Sequence, residues 1–588
     1  MALNLPDAVT NHPYLFAVFT AVTGYAISCI FGLARNILIA RSTGLPYLIY
    51  PIHERNMIYG IITAIPAVQK WVDTWKNEEW RDWWNAGPYP TKWKARKAYA
   101  RWGTMYLRVA PGGIVLECAD AKAIDEIMSH RERFPKPWWT YTMLMMYGPN
   151  IVVSEGQEWL RHRRVANPVF NERSNKMVWE VSVEQAHDIL AHWKLKSDNP
   201  PTAVNTMAHD FMSVALHVIS AIGFGIPMFF SEDKTATLPR PPFTNRQPDP
   251  GYDFTFAQAL NFISFNITIH AAMMGGMLPV WFPKSLLAVY QKHKAIHHDF
   301  SRYLTKMIGD AQEAMKDSTE IRATAAKEYM SHNLLSVMVA NSVSQAAESN
   351  GKNKPLSPEE LKGDVFVFML AGHETTAQAL NYAFLAMAVE EEAQDWIAEV
   401  IHEETKDLPA DSRNWTYEEV YEKLNAAKYL MNETLRYFCV VSVVPKHTSF
   451  SGCTITPSST VSPGPIHISE PMNINLVASG AHFDPRSWGS DAATFNPKRW
   501  DNDFQPPKGA FIPFSGGVRA CLGKKFSTVE FTAIATIILK DWKISVKQKE
   551  GETKEQAKRR VWKLLEASHA EITNNVGEEV EVVFERRK

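Results

Sequence analysis

Cysteine is scarce in this sequence, and neither sign of charge is in excess. Five cysteines occur among 588 residues, and no two of them have the C-x-x-C spacing of a zinc or redox pair. Such an odd, sparse set is typical of a reducing compartment and disfavours a fold built on disulfides. The formal net charge is -1, so the chain lacks the basic field that gathers nucleic acid. We therefore expect no nucleic-acid partner.

Internal repeats and long linkers are also missing. Hydrophobic residues make up 46% of the chain and charged residues 21%, a balance that argues against disorder and supplies a large core. Because no linker divides the sequence, one large folded domain remains possible in spite of the length.

Charged side chains are absent from Pro13 to Ala34. At ~1.5 Å per residue, this run is long enough to cross the ~30 Å hydrocarbon core of a bilayer as one helix. Arg35 and Arg41 follow the run and no Lys or Arg precedes it, which disfavours the alternative of a cleaved signal peptide and places the rest of the chain in the cytoplasm. The predicted organisation is a short lumenal N-terminus at 1–12, a transmembrane anchor at 13–34, a connector with a membrane-surface segment at 35–66 and one folded domain at 67–588.

Helical patterns dominate after about residue 156. Ser357 is a predicted helix N-cap, and Glu360 completes a capping box with it. The segment that follows, LKGDVFVFMLAGHETTAQALNYAFLAMAVEEE, is apolar on nearly all faces. A helix of this kind is expected to cross the middle of a domain. Earlier in the chain, residues 103–118 alternate like a β-hairpin around Pro111-Gly112-Gly113.

Glycine surrounds one of the five cysteines, Cys521, in the stretch FIPFSGGVRACLGKKF. Gly516, Gly517 and Gly523 permit turns with positive φ and the close approach of a bulky group. The residues that follow read as a helix, and a helix N-terminus favours a thiolate. Arg519 is suited to bind a carboxylate. The pattern indicates a thiolate ligand beneath a flat, anionic cofactor, whereas the alternative is a small buried cysteine of the core.

The same stretch resembles the haem loop of the cytochrome P-450 superfamily of haem-thiolate monooxygenases. Phe514, Gly517, Arg519, Cys521 and Gly523 match every fixed position of the family pattern F-x-x-G-x-R-x-C-x-G. The resemblance implies that Cys521 is the axial ligand of the haem iron and that the other four residues line the haem. A thiolate in that position favours cleavage of the O–O bond.

A second match lies in the predicted central helix. The sequence AGHETT is similar to the oxygen-activation motif of the family, which implies that Ala371 and Gly372 border the haem and that Glu374 and Thr375 relay protons. A Thr hydroxyl inside a helix can bond to the carbonyl four residues earlier, here Ala371. Gly372 is expected to leave room for dioxygen. Taken alone, the motif is weak, and a buried helix that contains one satisfied Glu explains it better.

Two further motifs are weak by themselves and gain weight from their order in the chain. Glu433 and Arg436 have the E-x-x-R spacing of the family, which implies a buried structural triad with Arg499. The usual P-E-R-F run reads here as Pro497-Lys498-Arg499-Trp500. As a bare pair at i and i+3, the first two residues also suit an ordinary surface helix.

The remaining candidates are donors to the haem carboxylates. Trp159 and Arg163 have the W-x-x-x-R spacing of the family, although WLRHRR also fits a basic surface helix. Lys446 stands after Pro445 where the family commonly has Arg, and it offers a point charge in place of a bidentate fork.

The resemblance covers about residues 67–588 and implies a mainly α fold, the cytochrome P-450 fold of a helical domain plus a small β-rich domain, behind one transmembrane helix. The implied cofactor is haem b (iron protoporphyrin IX), with O2 and NADPH-derived electrons as co-substrates. The implied partners are a separate membrane-bound NADPH–cytochrome reductase, cytochrome b5, the lipid bilayer and a lipophilic small-molecule substrate of specialised metabolism. The expected location is the endoplasmic reticulum membrane, single-pass, with a cytoplasmic catalytic domain.

Two alternatives stay open. A haem-thiolate isomerase or dehydratase works without a reductase, and a haem sensor is not an enzyme. The Glu374–Thr375 pair favours the monooxygenase over both. Candidate substrate-binding segments are residues 137–150 and the apolar side of 254–285.

Overall fold

The computed structural model of the chain describes residues 13–54, 56, 62, 66–87, 96–195, 200–230, 247–274, 284–317, 333–348, 354–448, 452–501, 504–570 and 573–587. The predicted lumenal N-terminus at 1–12 and nearly all of the predicted membrane-surface segment lie outside the described residues, as does part of the second candidate substrate-binding segment.

Helices account for most of the described chain, and strands are short. The helices are α1 (Pro13–Ser42), α2 (Pro66–Asp73), α3 (Glu78–Ala86), α4 (Arg96–Trp102), α5 (Ala121–Ser129), α6 (Gly156–Ala166), α7 (Glu172–His192), α8 (Met207–Phe224), α9 (Phe256–Phe265), α10 (Ile267–Met274), α11 (Lys284–Asp317), α12 (Leu334–Glu348), α13 (Pro358–Val389), α14 (Glu391–Thr405), α15 (Tyr417–Val420), α16 (Ala426–Tyr437), α17 (Ala478–Ala481), α18 (Pro485–Trp488), α19 (Lys524–Asp541) and α20 (Lys554–Glu566). The strands are β1 (Tyr47–Ile49), β2 (Met105–Ala110), β3 (Gly113–Cys118), β4 (Thr202–Val204), β5 (Val443–His447), β6 (Cys453–Ile455), β7 (Ile466–Ile468), β8 (Asn473–Val477), β9 (Trp542–Val546), β10 (His569–Ala570), β11 (Asn574–Asn575) and β12 (Val582–Arg586).

The chain forms two compact units. The first unit, Met1–Lys136, Ser442–Ala492 and Pro506–Arg519, contains a five-stranded sheet in the order β1-β2-β3-β8-β5. The predicted hairpin is confirmed, because β2 and β3 pair in antiparallel register from Met105↔Cys118 to Ala110↔Gly113. A two-stranded sheet of β6 and β7 completes the strands of this unit.

Helix α1 begins at the predicted residue but continues to Ser42 instead of ending at Ala34. The reason is packing against the hairpin turn. The side chain of Asn36 donates a hydrogen bond to the Ala110 carbonyl at 2.8 Å, and a Cβ at Gly32 would lie 2.7 Å from the Pro111 carbonyl oxygen. The N-terminal part of α1 is exposed and apolar, and Phe16–Ser42 is long enough to cross a membrane.

The second unit, Pro137–Val441, Ala493–Gln505 and Ala520–Lys588, is mainly helical. Its 32-residue helix α13 has the predicted capping box, in which Ser357 accepts from the Glu360 amide and the Glu360 side chain accepts from the Ser357 amide. Most side chains of α13 are buried, and the apolar α8 is buried as a core helix that packs on it. The prediction of a mainly α fold with a small β-rich part is therefore confirmed.

Candidate functional site

The cysteine loop ends the first unit and begins the second. Gly517–Arg519 form one 3-10 turn, and α19 begins at Lys524 with Gly523 as its N-cap. Cys521 therefore precedes the helix instead of occupying its first turn.

Two of the glycines in this loop lie close to α5 of their own unit. Gly517 has φ +61°, and a Cβ there would lie 2.3 Å from the carbonyl oxygen of Met128, at the end of α5. A Cβ at Gly516 would lie 2.6 Å from the sulfur of the same Met128. The positive φ predicted for this loop is thus present at Gly517, and both glycines allow a close approach to α5 of their own unit. Their predicted contact with a cofactor stays a prediction.

Cys521 is accessible to solvent, yet the protein around its sulfur raises the pKa of the thiol by desolvation. The Gly523 amide and the Lys524 charge lower that pKa without cancelling the rise. The predicted thiolate is thus not produced by the helix terminus alone. A metal ion bound to the sulfur deprotonates a thiol outright, so an accessible thiol at this position is compatible with an iron ligand.

The other residues of the loop motif to be placed are Phe514, Arg519 and Gly523. Phe514 and Arg519 are half-buried in the first unit. A Cβ at Gly523 would lie 3.9 Å from the Cys521 sulfur and 4.0 Å from the Phe170 ring, which is ordinary van der Waals contact. The protein itself therefore imposes no steric need for glycine at position 523.

Within the mostly buried middle of helix α13, one stripe of residues is accessible to solvent. Ala371 is exposed, and Phe368 and Thr375 are half-buried at positions i, i+3 and i+7 of one face. The Thr375 hydroxyl donates to the Ala371 carbonyl at 2.6 Å, which is the hydrogen bond predicted from their spacing. These three residues are called the exposed stripe below.

Gly372 lies against α8. A Cβ at this position would lie 3.0 Å from two side-chain carbons of Ile219 on α8. The missing side chain of Gly372 thus lets α8 and α13 pack closely. That Gly372 also leaves room for dioxygen stays a prediction.

Glu374 is buried, and its Oε1 accepts a hydrogen bond from the hydroxyl of Thr573. Thr573 is also buried and lies 199 residues further along the chain. The sequence offered no signal for this contact, because Thr573 belongs to no motif and neither helical nor strand periodicity reaches across such a separation.

The predicted triad residues are brought together in the second unit. Glu433 and Arg436 are fully buried, with Arg436 Nη2 2.8 Å from Glu433 Oε1 and Arg436 Nε 2.9 Å from Oε2. Arg499 Nε lies 3.1 Å from Glu433 Oε2. Both arginines also donate to the carbonyl of Thr494, at 2.8 Å and 3.2 Å. One carboxylate thus holds two guanidinium groups in a buried network.

Sequence reasoning missed two further donors to Glu433. The indole N–H of Trp500 donates to Oε2 at 3.0 Å, and the amide of Asn496 donates to Oε1 at 2.6 Å. The usual motif has Phe at the Trp500 position, and Phe has no donor. The replacement of that Phe by Trp500 was the available signal, because a buried Trp N–H usually has a hydrogen-bond partner.

Trp500→Phe is expected to destabilise the protein while haem binding persists. The substitution keeps an aromatic ring but removes one hydrogen bond to a buried carboxylate, which costs about 1.5–3 kcal/mol. The measurement is the thermal midpoint of the haem-loaded protein. Trp488→Phe is the matched control, because the Trp488 indole donates at 3.0 Å to the neutral Ala481 carbonyl. Equal losses in the two variants would contradict a special contribution from the carboxylate.

Trp159 and Arg163 lie on α6, and the Arg163 guanidinium is 5.4 Å from the centre of the Trp159 ring. His162, which lies between these two residues in the sequence, is buried, and its Nδ1 is 2.6 Å from Asp364 Oδ2 on α13. Asp364 Oδ1 accepts from the amide of Ile151 at 2.7 Å. Burial raises the pKa of Asp364, which His162 and the Ile151 amide oppose. This clamp of α6 on α13, absent from the sequence predictions, holds the helix that carries both candidate donors.

The last candidate, Lys446, is buried in strand β5 of the first unit. The prediction that Lys446 donates to a haem carboxylate rests on the motif alone.

A buried carboxyl group on α19, that of Glu530, makes the stability of the folded protein depend on pH. Desolvation raises the pKa of Glu530 well above its usual value, whereas the unfolded chain keeps a pKa of about 4.3. In that interval the folded state binds the additional proton, so stability falls as pH rises through the folded-state pKa. The loss in the free energy of unfolding is up to about 1.4 kcal/mol per pH unit. We expect Glu530→Gln to abolish it. Thermal midpoints of both proteins between about pH 5 and about pH 8 measure the effect, and a constant difference would contradict it.

The residues of the second unit fit a haem. They supply an accessible thiol at Cys521, the exposed stripe with its apolar and hydroxyl groups, and the nitrogen donors of Trp159 and Arg163 for carboxylates. No group of acidic, His or Cys side chains suited to a metal ion occurs among the described residues.

Comparison with known proteins gives a consistent result. The family described as Cytochrome P-450 matches residues 96–569. Cytochrome P-450 monooxygenase 124 of Postia placenta is 32% identical over 75% of this chain and 78% of its own length. The phomenoic acid biosynthesis cluster cytochrome P-450 monooxygenase of Leptosphaeria maculans is 25% identical over 89% of this chain and 91% of its own. Among solved structures, the cytochrome P-450DA heme domain shares the fold, with a TM-score of 0.64 and 17% identity over 92% of this chain and 99% of its own. The chain therefore belongs to the cytochrome P-450 family and is a haem-dependent monooxygenase.

Proposed function

We propose that this enzyme inserts one oxygen atom from O2 into a lipophilic small molecule of specialised metabolism. The observation that carries the proposal is the exposed stripe of α13. There the Thr375 hydroxyl is fixed at 2.6 Å from the Ala371 carbonyl, next in sequence to the buried Glu374. Specialised metabolism is suggested by the relative from Leptosphaeria maculans, whose name places it in a biosynthetic cluster.

Each motif residue keeps the role that the family pattern gives it. Cys521 is the proposed iron ligand, and the triad of Glu433, Arg436 and Arg499 supports the fold. The proposed haem contacts are Phe514, Gly517, Arg519, Gly523, Trp159, Arg163, Lys446, Ala371 and Gly372. The haem, when bound, supplies the activation of dioxygen. The protein must hold the group, exclude water and deliver protons.

Proton delivery is the proposed task of Glu374 and Thr375. A buried carboxyl group can hold a proton away from bulk water, and a hydroxyl can both accept and donate one. Thr375 lies on the exposed stripe, where it can pass a proton toward a bound substrate or cofactor. Its hydrogen bond to Ala371 keeps the hydroxyl oxygen in one place, so the path does not depend on a rotamer search.

The membrane arrangement is proposed from α1. The apolar part of α1 is exposed and long enough to span a bilayer, and Arg35 and Arg41 follow it. We infer a single-pass anchor at 13–34 in the endoplasmic reticulum membrane, a connector at 35–66 and a cytoplasmic catalytic domain at 67–588. The proposed electron donors are a membrane-bound NADPH–cytochrome reductase and cytochrome b5, which reach the domain at the same membrane surface.

The experiment that tests the proposal is deletion of the gene in its native host, followed by accurate-mass comparison of lipophilic extracts. We expect a compound to accumulate that lacks one oxygen relative to a product that disappears. Complementation with the wild-type gene should restore the product, and complementation with Cys521→Ala should not. A substrate and product of equal mass, or a conversion in microsomes that needs no NADPH, would support an isomerase or dehydratase and would overturn the proposal.

A further inference from the structure

The acid of the proposed relay is held by a residue outside its own helix. Glu374 Oε1 accepts a hydrogen bond from the Thr573 hydroxyl, and both side chains are buried. We propose that Thr573 positions the Glu374 carboxyl group for proton transfer, an inference that rests on the relay role proposed above for Glu374. A hydroxyl that donates to a carboxylate forms one of the stronger hydrogen bonds in proteins, and burial strengthens it further.

Thr573 is itself held firmly in place by its neighbour in the chain. The amide of Asn574 donates to the Val440 carbonyl at 2.8 Å, and the Asn574 side chain donates to the Cys439 carbonyl at 2.5 Å. Asn574 also pairs with Ala570 in the hairpin of β10 and β11. Two hydrogen bonds therefore anchor the C-terminal hairpin to Cys439 and Val440, and the Thr573 hydroxyl is presented from a fixed backbone.

The two members of the relay are thus fixed by different parts of the chain. Thr375 is held by Ala371 of its own helix at 2.6 Å, whereas Glu374 is held by the C-terminal hairpin. A Glu side chain has three rotatable bonds, so its carboxyl group can take many positions unless a partner selects one. The direction in which the Glu374 carboxyl points relative to Thr375 therefore depends on Thr573, although Thr573 need not touch substrate or haem.

The test compares one variant that lacks the hydroxyl with one that keeps it. Thr573→Val removes it at nearly constant shape, and Thr573→Ser keeps it. With the haem-loaded full chain, a microsomal NADPH–cytochrome reductase and dodecanoic acid as the probe, we expect Thr573→Val to consume NADPH about tenfold more slowly. Its solvent isotope effect in heavy water should also be larger than that of the wild type. Thr573→Ser should match the wild type in both measurements.

A second measurement does not depend on turnover. Thermal midpoints of the haem-loaded wild type, Thr573→Val, Glu374→Met and the double variant form a double-mutant cycle, because Met has no oxygen to accept from the Thr573 hydroxyl. We expect Thr573→Val to lower the midpoint by about 2–5 °C in the wild-type background and by clearly less when Glu374 is already changed. Thr405→Val is the matched control, because the buried Thr405 hydroxyl donates at 2.7 Å to Ile401 of its own helix. Its effect should be the same in the wild-type background and in the Glu374→Met background.

The outcomes separate this inference from the function on which it rests. If Glu374→Gln leaves NADPH consumption and the isotope effect unchanged, the relay role fails, and the inference fails with it. If Glu374→Gln slows the reaction but Thr573→Val does not, the relay stands and the inference alone is overturned. A Thr573→Ser variant as impaired as Thr573→Val would also overturn it, because shape and not the hydroxyl would then matter. Should Thr573→Val not bind haem, Thr573→Ala replaces it in both measurements.

Discussion

Glu433→Ala is expected to yield a protein that does not retain haem. Glu433 accepts from Arg436, Arg499, Trp500 and the Asn496 amide, and the substitution leaves two buried guanidinium groups without their carboxylate. Breaking a buried ion pair costs about 3–5 kcal/mol, a large part of the about 5–15 kcal/mol by which a folded protein is stable. The measurement is the haem absorbance per mole of purified protein.

The control for this prediction is Glu422→Ala, because Glu422 is an exposed acid whose partner Lys525 lies 3.3 Å away on the surface. Exposed pairs contribute about 0–1 kcal/mol, so this variant should retain haem. A Glu433→Ala protein with normal haem content and an unchanged thermal midpoint would contradict the structural role of the triad.

Asp364→Ala is expected to lower both stability and haem occupancy. The variant removes the acceptor of the buried Ile151 amide and the partner of His162, which together cost about 2–5 kcal/mol. Haem occupancy should fall because α6, which carries Trp159 and Arg163, is no longer clamped to α13. Haem content and the thermal midpoint of the full-length protein measure the two effects.

Asp364→Asn is the matched variant, because it keeps one oxygen acceptor at the same place. We expect it to retain most of the haem, with a smaller loss of stability than Asp364→Ala. If Asp364→Ala matched the wild type in both measurements, the contact between α6 and α13 would not be what holds the candidate haem donors.

Interactions within one helix were predictable from the sequence. The hydrogen bond from Thr375 to Ala371 follows from a spacing of four residues, and the pairing of Glu433 with Arg436 follows from a spacing of three. The capping box at the start of α13 was likewise encoded in four consecutive residues. In each case helical geometry alone brings the two groups together.

Interactions between distant segments were not predictable in this way. The contact of Glu374 with Thr573 and that of His162 with Asp364 join residues about two hundred positions apart. Neither pair shows a period or a spacing, because tertiary packing and not local geometry places them. Gly517 shows the same limit, since its glycine was correctly singled out but the neighbour that requires it, Met128, could only be identified in three dimensions.

The role of Cys521 as the haem ligand is the claim on which the proposed function depends most. The direct measurement is the absorption spectrum of the reduced, carbon monoxide-bound full-length protein, for the wild type, Cys521→His and Cys453→Ser. We predict that the wild type and Cys453→Ser show the long-wavelength Soret band of thiolate-ligated haem. Cys521→His should bind haem but show the band of a nitrogen-ligated iron at shorter wavelength. A thiolate-type band that persists in Cys521→His would contradict the assignment.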